Sequence, residues 1–132
     1  MPFPVLIRGN VDRIEERNGI IRIIDYKTGK VEKVSVTLKS WIGLTADIKN
    51  DKIIQVLAYA YMYEHVAKEK PIEAGIISFK NLKVGFLSFN FKEDKEVSVI
   101  INEEILSNYL EQMVLLLSEI LDANLPFEEK II

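Results

Sequence analysis

Val11-Asp12-Arg13-Ile14-Glu15-Glu16-Arg17-Asn18-Gly19-Ile20-Ile21-Arg22-Ile23-Ile24-Asp25-Tyr26-Lys27-Thr28-Gly29 is the stretch on which the reading of this chain turns. Its two halves are rich in β-branched residues, and Asn-Gly between them is the strongest short-range signal for a two-residue type I′ hairpin turn. With Asn18 and Gly19 as the turn, Arg17 faces Ile20 and every paired couple sums to 37, so Asp12 lies opposite Asp25. Side chains alternate along a strand, so Asp12 and Ile14 share a face with Ile21, Ile23, Asp25 and Lys27. Arg13, Glu15, Arg22 and Tyr26 take the other face, with Glu15 across from Arg22. If the loop is instead the four residues from Glu16 to Gly19, Asp12 moves opposite Ile23 and becomes diagonal to Asp25, roughly 7–8 Å away. The shared face survives either register.

Directly opposed residues have Cβ atoms about 4.5–5.5 Å apart, and like charges there destabilise a hairpin unless something neutralises them. A divalent cation does so. Two carboxylates on a solvated sheet edge are ordinary surface charges, but the neighbours Ile14, Ile21 and Ile23 argue against a wet face. Two acids and an amine on one hairpin are the parts of a metal-dependent phosphodiesterase site. Hard cations prefer oxygen ligands, and such an ion lowers the pKa of its water and neutralises charge growing on a phosphate. Lys27 supplies a point charge with three donors beside it.

With these residues in view, the stretch resembles motifs II and III of the PD-(D/E)xK nuclease superfamily, in the RecB/AddB-like branch that reads G-x-x-D-R-I-D and then D-Y-K-T-G. The chain keeps Asp25-Tyr26-Lys27-Thr28-Gly29 intact and has Glu15 or Glu16 where the last Asp of the first motif varies. Downstream, Gln55-Val56-Leu57-Ala58-Tyr59 resembles the family's Q-L-x-x-Y helix. The resemblance implies that Asp12, Asp25 and the main-chain carbonyl of Tyr26 bind Mg²⁺ or Mn²⁺, and that Lys27 orients the attacking water or stabilises the transition state. It further implies that Gln55 and Tyr59, with Thr28 and Lys30 nearby, touch substrate or support the site. Lys27-Thr28-Gly29 also matches the Lys-Thr-Gly of serine β-lactamases and penicillin-binding proteins, but the chain has no S-x-x-K, no S-D-N, and too few residues for that fold.

At 132 residues, 48% of them hydrophobic, the chain is long enough for one core and too short for two ordinary domains. The absence of cysteine excludes disulfides and thiolate metal sites. No apolar run approaches the ~18 residues of a membrane span, and Met1-Pro2-Phe3-Pro4 lacks the regions of a secretory signal. A soluble cytoplasmic domain with no membrane partner is expected. The net charge of −3 argues against a general nucleic-acid footprint, yet Lys27 to Lys52 holds six lysines against three acids, while the stretch from Lys92 onward holds three against ten. The positive stretch adjoins the hairpin's end and suits a phosphate backbone.

Beyond Gly29, Val31 to Val36 reads as one more short strand, and Ser40 to Asn50 as a loop in which Trp41 is either an anchor or a stacking platform for an unpaired base. Asp51 to Lys68 reads as a helix capped by Asn50 or Asp51, with Gln55 and Tyr59 on one face. His65 reads as a surface residue. Glu73 to Lys80 and Val84 to Phe91 read as strands, Gly75 and Gly85 marking bends or close approaches. Asn102 caps a long helix through about Leu121, which is expected to cover one sheet face.

The expected order is β-β-(β)-α-β-β-α, an α/β (α+β) mixed sheet flanked by helices, consistent with the restriction-endonuclease-like fold that the resemblance implies. Two activities fit: a Mg²⁺-dependent DNA nuclease, or a catalytically silent DNA-binding or scaffold module of the same fold. The start eleven residues before Asp12 leaves no room for the family's upstream helix, and relatives often continue past this end into a cysteine cluster. Residues 1–132 therefore read as one nuclease-like domain, the C-terminal core of a larger polypeptide, with DNA and a helicase domain or subunit as partners. The missing layer predicts weak cutting by the isolated chain and a homodimer that covers exposed apolar surface.

Overall fold

The computed structural model describes residues 11–64 and 70–121. Strands β1 (Arg13–Arg17) and β2 (Ile20–Lys27) form the expected hairpin. The register runs from Arg17↔Ile20 to Arg13↔Ile24, so the two-residue turn holds and the four-residue alternative does not. Asn18 and Gly19 have φ of 54° and 79°, the pair of left-handed residues that a type I′ turn requires.

β2 then pairs in parallel with β4 (Ile72–Ser78), and β5 (Phe86–Ser88) pairs antiparallel with β4, giving a mixed sheet of order β1-β2-β4-β5. The parallel pair needs a crossover, and helix α1 (Asp51–Tyr63) lies within it, packing on β4 and β2. Its buried Ile53, Val56, Leu57 and Ala60 meet Ile23, Ala74 and Ile76 in the core. Gly75 is dictated by β5, because a Cβ there would overlap the Leu87 carbonyl.

A second, smaller sheet was not expected. It joins β3 (Thr37–Leu38), β6 (Asn90–Glu93) and β7 (Glu96–Ser98) in the order β3-β6-β7. The expected strand Val84–Phe91 is thus two strands in two sheets. Phe89 N donates to Ala74 O at 2.7 Å to finish the first pairing, and buried Asn90 donates to Thr37 Oγ1 at 3.0 Å to begin the second. The expected strand Val31–Val36 is also corrected: Lys33–Val36 is a 3₁₀ turn that buries Val36, and only Thr37–Leu38 is extended. Trp41 is an anchor, its ring stacked on Phe91 with centroids 5.6 Å apart.

Helix α2 (Glu103–Leu121) begins where Asn102 Oδ1 accepts from Ile105 N at 2.9 Å, the expected cap. Ile105, Leu106 and Tyr109 are buried. Its chief packing partner is α1 rather than a sheet face, and Val114, Leu115 and Ile120 are exposed. No helix among the described residues is long and apolar enough to cross a membrane. His65 and the Gly9-Asn10 that opens the hairpin stretch lie outside the described residues.

Candidate active site

Asp25 stands in the middle of the main sheet, beside Ile76 of β4 and next in line to buried Ile23, so only 5% of it is exposed. Asp12 enters from just before β1, where Oδ2 accepts from Tyr26 N at 2.9 Å. That bond ties the first acid to the peptide after the second. The face is half dry rather than dry: Ile23 is fully buried, but Ile14, expected to shield the acids, is 42% exposed because β1 is the sheet's edge.

Lys27, two residues after Asp25 and hence on the same face, places Nζ 2.9 Å from Asp25 Oδ2. It also donates to Gln55 Oε1 at 2.7 Å, while Gln55 Nε2 donates to the Tyr59 hydroxyl at 3.0 Å. The four-residue spacing of Gln55 and Tyr59 on α1 puts them on one face, and α1 lies over β2, so helix and hairpin meet at this relay. Asp12, Asp25, Lys27, Gln55 and Tyr59 are all drawn together as the sequence implies. Thr28 and Lys30 are not: Thr28 makes no side-chain hydrogen bond among the described residues, and Lys30 meets only Glu32, at 4.0 Å.

Burial, above all, pushes the Asp25 carboxyl above the ordinary aspartate range; the Lys27 ammonium pulls it back and Asp12 adds to the rise. Despite the ion pair, Asp25 Oδ2 is buried with no hydrogen-bond donor aligned on it. A buried oxygen in that state is costly.

Two further residues complete the site and carry no motif. Ser78, buried at the end of β4, donates from Oγ to Gly29 O at 2.6 Å, and Phe79 N donates to Lys27 O at 2.9 Å. Together they clamp the main chain just after Lys27. They lie about fifty residues from it in sequence, and only the β2–β4 register, Lys27↔Ser78, brings them there.

Among the described residues, two helices and two mixed sheets make a restriction-endonuclease-like fold, and its hairpin carries two acids and an amine on one face. The chain belongs to the PD-(D/E)XK nuclease superfamily, whose family model matches residues 1–130. No curated protein and no solved structure matches it. Nucleases of this superfamily generally use a divalent metal. Among the described residues no cluster of three or more His, Cys, Asp or Glu side chains that could hold a metal ion is present. The two carboxylates, with Asp25 Oδ2 buried and lacking an aligned hydrogen bond, fit a hard cation such as Mg²⁺ or Mn²⁺.

Proposed function

We propose that this protein is a divalent-metal-dependent DNA nuclease that hydrolyses phosphodiester bonds, acting as an exonuclease of a RecB/AddB-type repair or recombination system in the cytoplasm. The observation that carries the reading is the buried carboxylate of Asp25, set on one face with Asp12 and Lys27, whose Oδ2 is met by the Lys27 ammonium as an ion pair at 2.9 Å without an aligned hydrogen bond. Asp12, Asp25 and the Tyr26 carbonyl would hold Mg²⁺ or Mn²⁺, which when bound lowers the pKa of water and neutralises charge on the phosphate. Hydrolysis adds water across one P–O bond and releases an alcohol and a phosphate monoester. Lys27 would hold the attacking water or a non-bridging oxygen, and its three donors would let it do so without leaving Gln55. Gln55 keeps the ammonium in place and Tyr59 fixes Gln55.

End-labelled DNA, single-stranded and duplex, incubated with the protein and Mg²⁺ or Mn²⁺ tests this reading. Cleavage that stops in EDTA and in Asp25→Asn supports it. An identical slow background in protein, variant and EDTA supports a silent DNA-binding or scaffold module instead.

A further inference from the structure

The turns that follow β2 and β4 lie side by side, because those strands are parallel and Ser78 Oγ reaches Gly29 O at 2.6 Å. Both turns are cationic. From Ala74 to Lys92 the chain carries three lysines, Lys80, Lys83 and Lys92, and no carboxylate. Among the described residues Lys80 and Lys83 form no ion pair, in a molecule whose net charge is −3.

Phe79 opens the second turn. Its ring stacks on Tyr26 with centroids 5.4 Å apart and planes 17° apart, and the residue is 55% exposed. With one face on Tyr26, the ring offers its remaining surface to solvent. Leu82 and Val84, in the same turn, are exposed as well. Tyr26 is the residue between Asp25 and Lys27, so the aromatic pair is one peptide away from the proposed site, on the opposite sheet face near the ends of β2 and β4.

An exposed aromatic ring flanked by unpaired lysines suits unpaired nucleotides, whose bases stack without regard to sequence while phosphates meet the ammonium groups. A paired base keeps its faces inside the duplex and cannot use the ring. We infer that Phe79, Lys80 and Lys83 form a docking surface for single-stranded DNA, with one base on Phe79 and the flanking phosphates on the lysines. The inference rests on the nuclease reading for its purpose, which is to feed a frayed end to Asp12, Asp25 and Lys27, but its binding is separable from cutting.

The test is fluorescence anisotropy of the full chain with labelled oligo(dT) in EDTA, against a blunt hairpin duplex of equal length. The wild type binds oligo(dT) at least about tenfold more tightly than duplex, and Phe79→Ala weakens oligo(dT) binding by about 5- to 150-fold, the range of one lost base–aromatic stack. The pair Lys80→Gln and Lys83→Gln, on an exposed turn, lowers the salt slope by roughly 1.4, about 0.7 for each phosphate contact. Should Phe79→Ala fail to fold, Phe79→Trp serves: its added emission is quenched on saturation with oligo(dT). Equal affinity for both DNAs, wild-type affinity in Phe79→Ala and in the lysine pair, or no quenching in Phe79→Trp overturns the inference. Metal-dependent cutting that persists when the surface fails removes this inference alone, and oligo(dT) binding without any cutting removes only the nuclease reading.

Discussion

Asp25 is a carboxylate that the fold makes uncomfortable on purpose. Because burial raises its pKa, the folded chain holds this proton over a range where the unfolded chain has lost it. Its contribution to stability is therefore full below the ordinary aspartate value of about 3.9 and is lost as pH rises through the raised folded value. Without metal, the wild type should lose stability relative to Asp25→Asn across that window in urea titrations; a difference independent of pH contradicts the assignment. Lys27 competes for the same oxygen that a cation needs, since Nζ sits 2.9 Å from Oδ2. Lys27→Met should thus bind Mn²⁺ severalfold more tightly by calorimetry while cutting DNA at least about a hundredfold more slowly. Joint loss of metal and activity would mean that Lys27 is only structural. The shared face of Asp12, Asp25 and Lys27 and the shared helix face of Gln55 and Tyr59 were legible in the sequence because a tight turn and a helical period fix them locally, while the meeting of Gln55 with Lys27 was implied only by the family resemblance. Ser78 and Phe79 were not, since a strand partner about fifty residues away leaves no local signal.

Among the elements, those with strong local rules matched expectation and those formed by switching sheets did not. Asn18-Gly19 and the Asn102 cap did what their chemistry demands. The run Val84–Phe91 alternates well enough for one strand, but Phe89 and Asn90 serve different sheets, and nothing in their spacing says so. The β6–β7 hairpin was hidden because its turn uses Asp94, at φ 52°, without the glycine that usually announces such a turn. Of the bend and the close approach that a glycine in a strand signals, Gly75 serves the close approach. Gly75→Ala should cost at least about 2 kcal/mol in urea denaturation, since the new methyl meets backbone of β5 that cannot yield cheaply. A variant of wild-type stability would show that β5 is not held against β4 as described. One glycine inserted after Gly19 should shift Asp12 out of register with Asp25 and abolish metal-linked stabilisation. Retention of that gain would free the site from the hairpin register.

At the scale of the molecule, the main sheet and α1 make one arrangement: a parallel β2–β4 core that carries Asp25 and Lys27, an edge strand β1 with Asp12 just before it, and a helix whose Gln55 accepts from the Lys27 ammonium. The central claim is that the hairpin's two carboxylates hold a divalent cation. Calorimetric titration of Mn²⁺ into the wild type, Asp12→Asn and Asp25→Asn, paired with thermal melts, addresses it most directly. Saturable binding is expected in the wild type, with a stabilisation of about 2.7 kcal/mol at a hundredfold excess over Kd, and loss of most of both in either variant. Equal heats and equal melting shifts in all three proteins would place the cation elsewhere and contradict the account.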